Sequence, residues 1–355
     1  MNYEFIHRSE DPADNALSIS QMQTFLRCRK QWEYSYVDSI MPRIDRPKMA
    51  IGKLIHAGFA SAWKLKVSDP ESTLPEWTNQ GLMTIEKDFN SYMDSIVYLE
   101  EEIESFEEIR STAKEVFLRS FHGFKPELWD PVILEDGTPL IELHFVVPCI
   151  AKRPLQGFID LVARNKESGH VWQIDYKFVS SMGDPSDEMF NVQNPVYQYA
   201  LRKIGVETVG SLTFHALNKP MTTPKVNKNG TISRAKINCD WSTYANFCIS
   251  NGQNPIDYIE EMEEKLSDIE WYRFNWEYRN ELTLRKVWKE VIVSTAYEIT
   301  KRQKRYPRNI SKMTCTGCQF QQLCHGDLRG YDTKFILQSE YKNKWEVEEE
   351  TEEGV

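Results

Sequence analysis

The first hundred or so residues carry apolar side chains at helical spacing. Ser18-Ile-Ser20 has the polarity of a helix N-cap, and Met22, Phe25, Leu26, Trp32, Tyr34 and Tyr36 follow it, which predicts an aromatic helix over 18–37 with Cys28 among basic residues. Pro42 and Pro47 interrupt. Ile51 to Trp63 then reads as a helix with an apolar face and His56 in its middle, and 70–125 reads as acidic helix. Beyond about 135 the pattern changes to alternation. Leu140–Pro148, Leu155–Arg164 and Val171–Val179 are predicted strands, the last two joined by the polar turn Asn165-Lys-Glu-Ser-Gly169. A helix over Met189–Ile204 tolerates Pro195 only near its first turn, and Thr208–Leu217 is a further apolar strand.

The order from His56 onward is therefore helix, three strands, helix, strand, which fits an α/β layer. Lys228-Asn-Gly230 is a hairpin-turn signal within 220–245, read as an insertion, and the chain to about 305 reads as mostly helical. The expected division is a helical region over 1–135, an α/β core over 136–220, and an insertion with helices over 221–310. A cysteine motif over 311–330 and an acidic tail over 331–355 complete it.

Composition supports a folded, aromatic-rich chain: 355 residues, 41% hydrophobic, with 10 Trp, 16 Tyr and 17 Phe. No apolar run approaches the ~20 residues that span a bilayer. The first residues, Met1-Asn-Tyr-Glu-Phe-Ile, have neither the basic nor the apolar region of a secretory signal. The expected compartment is the reducing cytoplasm, where seven cysteines serve as thiols or metal ligands rather than disulfides. Taken as a sum, a net charge of −10 argues against a nucleic acid partner. Its distribution changes that picture. Much of the acidity lies in Glu346–Glu353 and around Glu100–Glu108, whereas Lys301, Arg302, Lys304, Arg305, Arg308 and Lys312 form one basic run and Arg27, Arg29 and Lys30 another.

Two segments carry candidate chemistry: Gly157-Phe-Ile-Asp160 and Gln173-Ile-Asp175-Tyr-Lys177. Strand alternation puts Asp175 and Lys177 on one face and Ile174 and Tyr176 on the other. An Asp-x-Lys triplet ordinarily marks a solvated ion pair. Here the carboxylates sit among β-branched and aromatic neighbours, where a charge must be paired, metal-bound or protonated. Cys315-Thr-Gly-Cys318, followed by Cys324, is a metal-site signal that lacks a fourth ligand, for which His325 and Cys28 both qualify. Cys149, Cys239 and Cys248 stand apart and read as small buried hydrophobes.

In this order the pieces resemble the RecB-like, iron–sulfur branch of the PD-(D/E)XK nuclease superfamily, which includes the AddB nuclease domain and CRISPR-associated RecB-like exonucleases. The residues carrying the resemblance are Ser18-x-Ser20 with Cys28, Gly52-Lys-Leu-Ile-His56, Gly157-Phe-Ile-Asp160, Asp175-Tyr-Lys177, Gln193-Asn-Pro-Val-Tyr197 and the terminal cysteines. The resemblance implies a restriction-endonuclease-like α/β core with helical N- and C-terminal regions clasped by a 4Fe-4S cluster on Cys28, Cys315, Cys318 and Cys324. It implies Mg2+ or Mn2+ held by His56, Asp160, Asp175 and the carbonyl of Tyr176. Lys177 would position the attacking water, and Gln193 and Tyr197 would orient the lysine or the DNA backbone. Glu142, on the strand before Asp160, is expected behind the metal ligands rather than among them.

The implied activity is a metal-dependent deoxyribonuclease, an exonuclease acting on single-stranded DNA or free ends in recombination, repair or replication. The two basic runs become candidate DNA contacts. The chain contains no Gly-x4-Gly-Lys-Ser/Thr phosphate loop, so unwinding would fall to a helicase or recombination partner. The alternative is an iron–sulfur DNA-binding or assembly factor that keeps the fold with little cleavage.

Overall fold

A computed structural model describes residues 16–44, 47–96, 98, 103–150, 153–235, 237–267, 269–301 and 305–344. The described chain opens with β1 (Leu17–Ser18), α1 (Ile19–Arg27), α2 (Arg29–Trp32), a π-helical turn (Glu33–Val37) and β2 (Ile40–Pro42). Three long or moderately long helices follow: α3 (Pro47–Ser68), α4 (Leu74–Asp94) and α5 (Ile103–Phe124). Next come β3 (Trp129–Pro131), β4 (Ile141–Ile150), β5 (Arg153–Asn165), β6 (Val171–Val179), α6 (Gln193–Lys203) and β7 (Gly210–Leu217). The remainder is α7 (Trp241–Ser250), α8 (Ile259–Ser267), β8 (Tyr272–Glu277), α9 (Glu281–Lys286), α10 (Ser294–Thr300), α11 (Lys312–Cys315), α12 (Gln321–Leu328), α13 (Lys334–Glu340) and β9 (Tyr341–Asn343).

The expected N-cap is present. Ser18 Oγ accepts from Gln21 N at 3.1 Å, and the Gln21 side chain accepts from Ser18 N at 3.4 Å. The single helix expected over 18–37 is broken at Cys28, whose backbone is extended (φ −160°, ψ 110°). The break turns Cys28 out of the helical stack while its carbonyl still accepts from Trp32 N at 3.0 Å. At the other predicted helix, Met189 and Phe190 belong to a 3-10 turn (Pro185–Phe190), and α6 begins at Gln193. Pro195 is then its third residue, where a missing N–H forfeits no helical bond.

The central sheet has seven strands. β5 is its spine. One edge of β5 is paired antiparallel with β4 and then β3, and the other with β6 (antiparallel) and β1 (parallel). β6 runs parallel to β7, and β7 antiparallel to β8. β8 lies in a stretch expected to be helical. Tyr272, Phe274 and Trp276 alternate with Arg273, Asn275 and Glu277, and that period-two pattern gives a strand. The region beyond 220 is therefore more than an insertion, because it supplies a strand to the main sheet, as the N-terminal region does through β1 and β3.

Helices α3, α4 and α5 cover one face. Their core includes Phe59, Trp63, Phe117, Phe121 and Phe124 against Ile141, Leu161, Ile174, Tyr176 and Phe214. On the other face α1, α6 and α10 pack on Phe145, Leu155, Ile159 and Val162. Each such large side chain contributes roughly 1.5–3 kcal/mol when fully buried, so the strands between these layers are held firmly. β2 and β9 form a separate two-stranded ribbon that ties the C-terminal end to residues 40–42.

Candidate active site

The site lies where β5 and β6 part. Their ladder ends at Leu161↔Ile174, and β1 takes up the same edge of β5 only at Leu155 and Gln156. Gly157 to Asp160 thus have no strand partner on that edge among the described residues. Asp160 closes the opening: its Oδ2 accepts the Tyr176 N–H at 2.8 Å. In a ladder a residue's N–H and C=O face the same neighbour, so the Tyr176 carbonyl faces this gap as well. The Tyr176 ring is buried on the helical side, where its hydroxyl accepts from Trp63 Nε1 at 3.0 Å and fixes the strand against α3.

His56 reaches the gap from α3. Its ring meets Phe178 edge-on at 5.3 Å, and Nδ1 lies 3.6 Å from Asp160 Oδ2. The β4–β5 register, Ile141↔Leu161 and Leu143↔Ile159, puts Glu142 directly opposite Asp160. Ligand atoms of His56, Glu142 and Asp160 all lie within 4.8 Å of one another. Glu142 thus stands with the donors, closer than its sequence position indicated. Burial, reinforced by the Asp160 charge, pushes its carboxyl up to about 7. Carboxylates crowded this way beside an imidazole make a donor set that a divalent cation relieves and fits.

Asp175 and Lys177 project toward α6. Asp175 is buried, with Lys177 Nζ 2.7 Å from its Oδ2. Gln193, the first residue of α6, closes a triangle. Its Nε2 donates to Asp175 Oδ1 at 2.9 Å and its Oε1 accepts from Lys177 Nζ at 3.2 Å. Burial raises the Asp175 carboxyl above its ordinary range, against the pull of Lys177 and with the help of the Asp160 charge. For Lys177 burial favours the neutral amine, but Asp175 and Asp160 outweigh it and hold the ammonium above its usual value. Tyr197, one helical turn on from Gln193, hydrogen-bonds to it, and burial raises its phenol. Gly157 is required here. A Cβ on it would come within 2.9 Å of the Phe145 ring and 3.1 Å of Tyr197.

One buried layer beneath Lys177 was not legible beforehand. Glu188 Oε1 accepts from Asn191 Nδ2 (2.6 Å), Asn194 Nδ2 (3.0 Å) and Thr213 Oγ1 (2.7 Å), and Asn194 Oδ1 accepts from Gln173 Nε2 at 3.3 Å. Glu188, Asn191 and Asn194 follow at three-residue steps, but Gln173 and Thr213 come from separate strands, and no spacing along the chain links them to that run. The only local signal is polarity at positions the strand pattern makes internal, Gln173 and Thr213.

Apart from these residues, Cys28, Cys315, Cys318 and Cys324 line one cavity, together with Tyr34 and Arg308. His325 also lines it, so both candidate fourth ligands are at hand. Arg308 Nε donates to Cys324 Sγ at 3.3 Å. Burial raises the Cys318 thiol, and Cys28 and Cys324 add to that. One backbone bond and one side-chain bond join the two distant segments: Lys30 N donates to Pro307 O at 3.2 Å, and Asn309 Nδ2 to Arg27 O at 2.9 Å. Several cations of the basic runs are paired. Arg29 meets Glu298 and Lys30 meets Glu33, each at 2.6 Å, Arg27 bonds Gln31 at 2.7 Å, and Arg308 pairs with Asp327. Lys301, Arg305 and Lys312 are exposed. Arg302, Lys304 and the acidic stretch Glu346–Glu353 lie outside the described residues.

A mixed sheet layered by helices, with a His–Glu–Asp donor set beside an Asp–Lys pair at a strand fork, defines an α/β protein with a candidate divalent-metal site. Residues 16–325 match the profile of the PD-(D/E)XK nuclease superfamily, and the chain belongs to that superfamily, whose members are metal-dependent nucleases. No curated protein matches it significantly. Among the described residues no helix is long and apolar enough to cross a membrane.

Proposed function

We propose that this chain is a metal-dependent deoxyribonuclease of the RecB-like, iron–sulfur branch, hydrolysing phosphodiester bonds as an exonuclease in recombination, repair or replication. The observation that carries the reading is the closed Asp175–Lys177–Gln193 triangle next to the His56–Glu142–Asp160 donors. Bound there, Mg2+ or Mn2+ supplies Lewis acidity toward the phosphate and the attacking water. His56, Asp160, Asp175 and the Tyr176 carbonyl would hold the ion, with Glu142 standing beside His56 and Asp160 as a further donor, and the imidazole favours Mn2+. Lys177, kept protonated by Asp175 and Asp160, stabilises the charge that develops on the phosphoryl oxygens and orients the water. Gln193 fixes that amine by holding both members of the pair, and Tyr197 fixes Gln193.

The four cavity cysteines fit a 4Fe-4S cluster, since thiolates are its ligands and all four line one cavity, where Arg308 donates a hydrogen bond to Cys324 Sγ. Its role is structural, joining residue 28 to residues 315–324. A helicase or recombination partner would deliver unwound DNA.

The test is digestion of end-labelled linear DNA, single- and double-stranded, by purified full-length protein with Mn2+. Asp175→Ala and Lys177→Ala should each lower the rate by roughly a thousandfold, while the brown colour, absorbance near ~400 nm and about four irons per chain are retained. Wild-type rates in both variants would remove this site from the chemistry.

A further inference from the structure

Two surfaces border the metal-site residues and are not used by the hydrolytic chemistry. The first is a groove between α3 and α4 whose lining includes His56, Glu142, Ser61, Lys53, Lys64 and Asp88. Lys53, His56, Ala60 and Lys64 recur at three- and four-residue intervals, which places them along one face of α3. The two exposed lysines stand about 16 Å apart along the helix axis, and His56 lies between them.

The second surface lies on the other side of the donors. Two residues along β4 from Glu142 is His144, and two along β5 from Asp160 is Phe158; the pair are register partners. Their rings stack at 4.7 Å with an interplanar angle of 21°. Phe158 is 55% exposed and its neighbour Val146 40%. Strand rise puts this stacked pair about 7 Å from the Asp160 backbone. His144 covers one face of Phe158, and the remaining exposure of Phe158 beside charged donors suits a further planar group added to the stack. The lysine-bearing groove meets the same strand at Glu142, two residues from His144, which indicates what kind: a ligand crossing both surfaces would be anionic along one stretch and aromatic along the next.

We propose that Phe158 and His144 form a platform on which a base of single-stranded DNA stacks, while the α3–α4 groove, through Lys53 and Lys64, takes the adjoining phosphates. The proposal rests on the nuclease reading and specifies its substrate as unpaired DNA. A base within a duplex keeps its faces stacked on neighbours and cannot occupy the platform. Aromatic stacking is indifferent to base identity, so the site would be sequence-tolerant.

The experiment measures binding of fluorescein-labelled oligothymidylate and of a blunt duplex to the full-length protein by anisotropy, with Ca2+ as the divalent ion so that binding is read without hydrolysis. Phe158→Ala combined with His144→Ala should weaken oligothymidylate binding roughly 5- to 150-fold and duplex binding by less than about threefold. Phe158→Tyr should restore it. An oligonucleotide of abasic residues should lose a similar factor on the wild type and nothing further on the double variant. Lys53→Ala with Lys64→Ala should reduce the salt dependence of oligothymidylate binding by about 0.7 in slope per lost phosphate contact. Oligothymidylate binding within about twofold of wild type in the Phe158/His144 variant, or equal losses on both DNAs, would overturn the platform. Because binding is read alone, a wild type that never cleaves DNA would sink the nuclease reading and leave this measurement interpretable.

Discussion

At Glu142 the backbone adopts φ +49°, a left-handed conformation uncommon for any residue but glycine. Such a position costs on the order of 1–3 kcal/mol and persists where its surroundings dictate it. Here the pairs Ile141↔Leu161 and Leu143↔Ile159 pin it on both sides. The carboxyl so aimed titrates at about 7 in the folded chain against 4.5 ordinarily, because burial and the Asp160 charge disfavour the anion. Below 4.5 both folded and unfolded chains hold the proton. Between 4.5 and about 7 the folded chain keeps a proton that the unfolded chain has lost, so this residue's contribution to stability falls as pH rises through that window. In metal-free protein the urea midpoint should therefore drop between about pH 5 and about pH 8, less so in Glu142→Gln. Added Mn2+ should shrink the drop in the wild type by favouring the anion. A Glu142→Gln profile parallel to wild type would show that other groups govern it.

Elements hold these residues by close approach of helices. Gly58 of α3 and Gly81 of α4 both face Phe117 of α5, and a Cβ at Gly81 would lie 2.1 Å from the Phe117 ring. His56 is two residues from Gly58, so the spacing of the helical layer sets how far its imidazole reaches toward the sheet. Gly81→Ala gains about 1 kcal/mol of helix propensity, but the overlap with a fully buried ring costs more, for a net loss of about 1–2 kcal/mol. Thermal denaturation should show this, and Phe117→Leu in the same chain should recover part of it. Unchanged stability in Gly81→Ala would mean that the helices separate freely. Alternation along β4 to β7 was legible because each of these strands repeats it over eight or more residues. β8 was missed because its alternation lasts only six residues and is flanked by helical spacing; pairing with β7 is what makes it a strand of the main sheet.

For the whole molecule, the joint between residue 28 and residues 315–324 encloses most of the chain. If a cluster closes it, loop-entropy reasoning puts the stabilisation on the order of 5 kcal/mol. Cys28→Ser should lower the urea midpoint markedly and bleach the protein. Cys149→Ala, at a thiol outside the cavity whose pKa burial raises to about 11, should change stability little and leave the colour. Equal effects of the two substitutions would refute the clasp. The same joint brings Arg27, Arg29 and Lys30 beside Arg308 and Asn309.

Local physics was readable in the sequence: pleat alternation placed Asp175 and Lys177 opposite Ile174 and Tyr176, helical spacing placed His56 on an apolar helix, and close spacing grouped Cys315, Cys318 and Cys324. Each depends only on residues a few positions apart. Tertiary structure decided what those residues meet. The antiparallel register put Glu142 across from Asp160, the fork of β5 from β6 left the Tyr176 N–H for Asp160, and the start of α6 placed Gln193 between Asp175 and Lys177. Strand register, the parting of a ladder and helix docking are set by contacts between distant segments. No periodicity along the chain encodes them.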